Sequence, residues 1–103
     1  MVGAIRVSKA RDSSAWERHD HGDELLVLLS GTLTMTLRDA EGRTSECPMA
    51  RGDVLLIPMG VAHHATLHTD QVELLFVTPR TGTTDWAESS HTQEASPGRV
   101  DHR

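Results

Sequence analysis

The chain has 103 residues and a formal charge of −5, and it lacks the basic stripe with stacking aromatic residues that is typical of nucleic-acid binding. Its length predicts one domain, whose core must consist of Leu, Val, Ile and Met because only 3% of the residues are aromatic. The longest apolar run is too short to span a membrane, the first eleven residues lack a signal core, and Cys47 has no disulfide partner. We therefore expect a cytoplasmic protein, and its small core favours a homodimer.

The first half of the chain reads as short strands separated by turns. Residues 4–7 predict an edge strand, and a second strand begins at about Ala15 and reaches a turn at residues 22–23. Residues 25–29 are all apolar, so we expect that the strand over residues 24–29 is covered on both faces. The strictly alternating residues 32–37 predict a strand, and a charged loop leads from it into another over residues 44–49, with Pro48 at an edge.

The second half continues the pattern. A turn at residues 51–53 precedes a strand over residues 54–57 that we expect to be buried, and a short loop then delivers His63 to the start of the next strand. A strong last strand covers residues 72–77, residues 81–85 read as a loop, and Trp86 is expected to anchor the C-terminal segment. The absence of an amphipathic helical pattern predicts an all-β sandwich or barrel over residues 1–86, followed by a flexible polar tail over residues 87–103.

One stretch, residues 16–24, concentrates histidine and carboxylate side chains immediately before the apolar run. Glu17, His19 and His21 occupy alternate positions, so an extended strand places all three on one face, whereas a helix would scatter them. Imidazole and carboxylate ligands together suit Zn, Fe, Ni and Mn. The stretch therefore predicts a site for a divalent transition metal.

A second stretch has a defined spacing: Gly52, five residues, Pro58, one residue, Gly60, two residues, His63. This spacing resembles the second motif of the cupin family, although Leu67 replaces the asparagine that closes the family motif.

The histidine stretch resembles the first cupin motif, which has two histidines at alternate positions, a short gap, Glu24, six residues and Gly31. Together the two motifs cover roughly residues 19–67. They identify the chain as a small member of the family, with its conical double-stranded β-barrel.

The resemblance implies that His19, Glu24 and His63 hold a metal inside the barrel mouth. The fourth ligand depends on the register. If His19 and His21 are the paired ligands, the gap before Glu24 is shorter than in the family; if Glu17 takes the first-histidine place, the family spacing is kept. The second register is favoured, and Glu17 and His21 compete for the fourth position.

The resemblance also limits the function. Family members use the metal to bind dioxygen for oxidative cleavage or to polarise a substrate oxygen, and others bind a small ligand without turnover. We expect a metal-dependent protein that acts on or senses a small molecule, with a metal-free binding module as the alternative. The residues do not select a reaction or decide whether the protein is an enzyme. His64 and His68 are expected outside the barrel, and Trp16 on its outer face or at a dimer contact.

Overall fold

The computed structural model describes residues 1–9, 15–79 and 81–87, and these residues form strands, turns and bends without an α-helix. No helix in this part of the chain could cross a membrane. The strands, in chain order, are β1 (Val2–Ser8), β2 (Ala15–His19), β3 (Glu24–Ser30), β4 (Leu33–Arg38), β5 (Thr44–Met49), β6 (Val54–Ile57), β7 (Ala62–Leu67), β8 (Gln71–Val77) and β9 (Thr83–Ala87).

The strands form two antiparallel sheets. Sheet A has the order β1-β8-β3-β6, and sheet B has the order β5-β4-β7-β2-β9. This arrangement confirms the predicted all-β fold. The N-terminal strand is an edge strand of sheet A, as predicted, and β5, which contains Pro48, is an edge strand of sheet B.

The core lies between the sheets and follows from the alternation of apolar residues. In β4, Leu33 and Met35 are buried, and Thr34 and Thr36, which alternate with them, are less so. Sheet A contributes inward residues such as Leu26 and Leu28 to the same core, and Leu28 is fully buried. Because successive strand residues point to opposite faces, each strand gives the core every second side chain.

Gly31 makes the close turn between β3 and β4. Its φ is 84°, and a Cβ atom there would lie 2.5 Å from the carbonyl oxygen of Gln71. The conformation and the lack of space both require glycine. The six residues between Glu24 and Gly31 therefore span a strand that begins at the candidate site and ends at this turn.

Two expectations about the strands are wrong. Residues 81–85 were expected to form a loop, but Thr83–Ala87 form β9, which pairs with β2. Trp86 lies opposite Trp16 in this pairing, with nearly parallel rings whose centroids are 6.4 Å apart. Long-range pairing creates this strand, because its own residues show no apolar alternation. Of the tail expected over residues 87–103, Ala87 is the last residue of β9, and residues 88–103 lie outside the described residues.

The second wrong expectation concerns the coverage of sheet A. We expected β6 to be buried and β3 to be covered on both faces, yet Leu29, Val54 and Leu56 are 43%, 61% and 56% exposed. The inward side chains of both strands pack in the core, whereas nothing in the described chain covers their outward side chains.

Candidate metal centre

Four residues predicted from the sequence meet between the two sheets. Glu17 and His19 come from the inner face of β2, Glu24 opens β3, and His63 lies near the start of β7. Glu17 is directly opposite His63 in the register of sheet B, while Glu24 approaches from sheet A. Each residue offers one possible metal-ligating atom, and these four atoms lie within 4.8 Å of one another.

The nitrogen and oxygen atoms of this cluster are close. Nε2 of His19 lies 3.4 Å from Oε1 of Glu17 and 3.2 Å from Oε1 of Glu24. Nε2 of His63 lies 3.2 Å and 3.1 Å from the same two oxygens. Donor atoms that are each about 2.0–2.2 Å from one ion have separations of roughly this size.

Hydrogen bonding leaves part of the cluster without partners. Nε2 of His19 and Oε1 of Glu24 are buried, but neither has a hydrogen-bond partner of suitable geometry among the described residues. Buried polar atoms are normally bonded, so such a pair needs an explanation. A metal ion would satisfy both atoms, and two imidazoles with two carboxylates are a donor set that divalent transition metals accept. The residues therefore fit a metal.

Hydrogen bonds behind the cluster hold two of the candidate ligands. The hydroxyl of Thr78 donates to Oε2 of Glu24 over 2.6 Å, and Nδ1 of His19 lies 2.9 Å from Oγ1 of Thr83. When Nδ1–H of His19 donates to the threonine, its Nε2 lone pair is free for a metal. Such outer contacts fix the orientation of ligands in metal sites.

The electrostatics of the cluster favour charged partners. The carboxylates of Glu17 and Glu24 raise the pKa of His19 to about 9. Burial opposes the charged form of His63, but the same two carboxylates outweigh burial and raise its pKa as well. The contacts with both histidines lower the pKa of Glu17 to about 2. Burial acts against ionisation of Glu24, yet the histidines and Thr78 lower its pKa. Without a metal, the charges of two protonated imidazoles thus balance the two carboxylates, a role that a divalent cation could also fill.

Comparison with known proteins identifies the family. The model of the cupin domain matches residues 5–79. The chain belongs to the cupin family. It is 33% identical to acireductone dioxygenase 1 of Vitis vinifera over 91 residues, which cover 84% of this chain but only 46% of that protein. The chain therefore spans about half the length of this curated relative.

Solved structures show the same fold. The cupin domain of Drosophila melanogaster CENP-C superposes with a TM-score of 0.66 at 14% identity, over 77% of this chain and 60% of that one. The iron(II) form of HppE gives a TM-score of 0.62 at 22% identity, over 75% of this chain and 41% of that one. At these identities the likeness concerns the fold alone, and it confirms the resemblance read from the two motifs.

The backbone of this cupin connects its two motifs beside the cluster. The amide of Gly60 donates to the carbonyl oxygen of His19 over 2.8 Å, and the amide of Met59 donates to Oδ1 of Asp23 over 2.8 Å. Gly60 has a φ of 83°, which glycine adopts without strain. Asp23 therefore bridges to the loop before His63.

His21, the competing fourth ligand, does not join the cluster. The second strand ends at His19, and the following bend turns the His21 ring into an exposed position, where Nδ1 lies 3.2 Å from Oγ1 of Thr81. His64 lies on the outer face of sheet B, where its ring stacks on Trp16 at 5.3 Å. His68 is exposed, with Nε2 2.7 Å from Oγ1 of Thr34.

A cavity of about 450 Å³ adjoins the cluster and opens between the sheets. Much of its wall is apolar and is contributed by Ile5, Leu26, Met35, Leu74 and Phe76. The Glu17 side chain is 44% exposed, whereas the other three cluster residues are buried. Glu17 therefore stands on the open side of the site, where a small molecule would approach.

Sequence reasoning missed the two threonines behind the cluster. Thr78 directly follows the last strand predicted from the sequence, and Thr83 belongs to the strand that was not predicted. Nothing in the sequence around a threonine at a strand end indicates that its hydroxyl contacts a candidate metal ligand. Only the pairing of β9 with β2, which places Thr83 opposite His19, brings this hydroxyl to the imidazole.

Proposed function

We propose that this cupin binds one divalent transition metal through Glu17, His19, Glu24 and His63 and acts on a small molecule in the adjoining cavity. The observation that carries the proposal is the buried, unpartnered pair of ligand atoms, Nε2 of His19 and Oε1 of Glu24, with a second imidazole 3.1 Å from the same oxygen. His21 has no place in this ligand set because its ring lies outside the cluster.

The comparisons support iron as the first metal to test. The sequence relative is a dioxygenase by name, and HppE was solved as its iron(II) form. Two histidines with a carboxylate form a ligand set that suits non-haem iron(II), while manganese, zinc and nickel accept the same donors. When bound, such a metal supplies open positions at which dioxygen or a substrate oxygen is polarised.

The residues of the chain have separate tasks in this proposal. The apolar cavity wall favours a substrate with an apolar body and excludes water from the buried side of the site. Glu17, the most accessible of the four, is placed to move when substrate enters. Thr78 and Thr83 hold Glu24 and His19 in their orientations.

The second candidate is a metal-free cupin that binds a small ligand without turnover. The raised histidine pKa values favour it, because two imidazolium and two carboxylate groups can neutralise one another without a metal. The two candidates differ in what the purified protein contains.

Elemental analysis of untagged protein, purified without chelators and reconstituted with Fe²⁺ under nitrogen, tests the proposal. We expect about one equivalent of metal per chain. Less than a few tenths of an equivalent, not recovered with Fe²⁺, Mn²⁺, Zn²⁺ or Ni²⁺, would favour the metal-free candidate.

A pair of variants on β7 tests the ligand assignment. His63→Ala should abolish retention of the metal while the circular dichroism spectrum stays that of a folded β protein. His64→Ala changes the neighbouring histidine on the outer face and should retain the metal. Equal retention by both variants would show that the assignment is wrong. A cytoplasmic location stays a prediction.

A further inference from the structure

Phe76, the one phenylalanine of the chain, lines the cavity that adjoins the metal cluster. It lies on β8 between Gly3 of β1 and Leu26 of β3, which are its direct neighbours in the registers of sheet A. Val72 and Leu74, which alternate with it along the strand, are buried in the core. Because paired residues and alternate residues of a strand share a face, the side chain of Phe76 belongs to the inner face of the sheet.

The ring of Phe76 lies over Gly3. A Cβ atom at Gly3 would be 2.6 Å from Cζ of the ring, and 3.1 Å and 3.2 Å from its two Cε atoms. Gly3 lies within the edge strand β1 and is not among the glycines with a positive φ, so alanine could adopt its backbone conformation. What this position uses is therefore the small size of glycine, which gives the ring its place against the sheet.

The position of Phe76 along β8 relates its ring to the cluster. Thr78, two residues further along the chain, donates its hydroxyl to Oε2 of Glu24 over 2.6 Å. Two residues of a strand span about 7 Å, which is close to the length of one small ring with a substituent. A molecule in the cavity can therefore meet the cluster with one end and Phe76 with the other.

The opposite sheet offers a second group that favours aromatic ligands. Met35 lines the same cavity from β4 of sheet B. Aromatic rings attract one another in stacked or edge-to-face contacts beyond the effect of their buried area, and a thioether sulfur also contacts aromatic rings favourably. Each sheet thus contributes one side chain that prefers a flat unsaturated ring to a puckered aliphatic one.

We propose that the small molecule taken by this cavity contains a flat aromatic or conjugated ring that packs on Phe76, while an oxygen-bearing end of the molecule reaches the metal cluster. The inference rests on the proposed function for the end at the cluster, and on the contact of Phe76 with Gly3 for the ring. Phe76 is then a specificity-determining residue, and Gly3 is the positioning residue that sets where its ring lies.

Titrations of the Zn²⁺-loaded protein with phenol and with cyclohexanol, followed by NMR chemical shifts, test the preference for a flat ring. The two probes carry the same hydroxyl group on a six-membered ring, and Zn²⁺ has no redox chemistry that could consume them. The wild type should bind phenol about threefold to tenfold more tightly than cyclohexanol.

Two variants of β8 separate ring packing from the greater acidity of phenol. Phe76→Leu should remove most of the preference for phenol and leave the affinity for cyclohexanol within about twofold of the wild type. Leu75→Val is the matched control, because it changes the neighbouring side chain on the outer face of the sheet, and it should keep the preference.

A second pair of variants tests the role of Gly3. Gly3→Ala should displace the Phe76 ring, and because the buried Leu26 occupies the other side, the ring must move into the cavity. Both probes should then bind about fivefold or more weakly. Gly3→Ala/Phe76→Leu removes the ring atoms that the new Cβ would meet, so the affinity for cyclohexanol should return to within about twofold of the wild type.

Metal content and circular dichroism are measured for every variant. None of the three substituted positions belongs to the cluster, so each variant should be folded and hold as much Zn²⁺ as the wild type. If the wild type holds no metal, titrations of the metal-free protein should still show the preference for phenol, and only the metal assignment fails. Equal affinities of the wild type for the two probes, no binding of either probe, or a preference that survives Phe76→Leu would overturn the proposal.

Discussion

Binding of Co²⁺, a spectroscopic substitute for the proposed metal, should weaken as the pH falls from 8 to 6. A histidine must lose its proton to bind a metal, and the pKa of His19 is about 9. Below that value each pH unit lowers the fraction of neutral imidazole tenfold, which corresponds to 1.36 kcal/mol. His19 alone therefore weakens binding by about 100-fold between pH 8 and 6, and the raised pKa of His63 adds to this effect. Glu17 contributes nothing, because its pKa of about 2 keeps it ionised.

The metal-free protein should respond to pH in the opposite direction. Because folding raises the pKa of His19 from 6.5 to about 9, its stabilising contribution is fully present below pH 6.5 and is lost as the pH rises through 9. This rise in the pKa of His19 corresponds to roughly 3 kcal/mol. For Glu17, whose pKa is lowered, the contribution is present above pH 4.5 and is lost as the pH falls towards 2. Metal-free protein should thus lose stability between pH 6.5 and 9, whereas metal binding should become tighter over the same range.

Isothermal titration of Co²⁺ into metal-free protein, at pH 6, 7 and 8 in two buffers of different ionisation enthalpy, measures affinity and proton release together. We expect roughly one to two protons released per ion at pH 7. His64→Ala should behave as the wild type, since this ring lies outside the cluster. A dissociation constant that is the same at pH 6 and 8, with no proton released, would refute the assignment of the two histidines as ligands that lose a proton when the metal binds.

Three further changes test individual contacts. Glu17→Gln should weaken Co²⁺ binding about tenfold or more, whereas His21→Ala should leave the affinity within about twofold of the wild type. Titration of both variants measures this, and an equal loss of affinity would contradict a cluster that contains Glu17 and excludes His21. Thr78→Val leaves the buried Glu24 oxygen without its donor and should lower the free energy of unfolding by about 1–3 kcal/mol in urea, with recovery in Thr78→Ser. Gly31→Ala, at a φ of 84°, should cost about 1–3 kcal/mol in the same assay, and an unchanged midpoint would refute the strain argument.

The sequence predicts the strands of this cupin wherever local alternation decides their faces. In β4, the alternation of Leu33 and Met35 with threonine is sufficient, because a strand with one apolar face can bury it in only one way. In β9, residues 83–87 contain no such pattern. This strand depends on its partner β2 and on the stacking of Trp86 beside Trp16, and both are contacts between distant parts of the chain.

The sequence predicted all four residues of the cluster, but it did not show that His21 lies outside it. Alternation places Glu17, His19 and His21 on one face only as long as the strand continues, and β2 ends at His19. The bend at residues 20–22 removes His21 from that face. The family spacing already favoured Glu17, whereas the end of the strand depends on contacts with other segments, such as the bond from the amide of Asp20 to the carbonyl of Gly82.

The exposure of β6 has a physical meaning beyond a wrong expectation. The sequence of β6 shows that its side chains are apolar, but it does not show whether anything covers them. Glu24 sits on the inner face of β3, directly between Ile57 of β6 and the end of β8, while Leu25 and Val27 point outward from the same strand. The outward side chains of β3 therefore lie on the opposite face of the sheet from the cluster. Val54→Lys, which changes an exposed side chain on this outward face, should therefore leave the metal content unchanged, and a loss of metal by the folded variant would contradict the separation of the two faces.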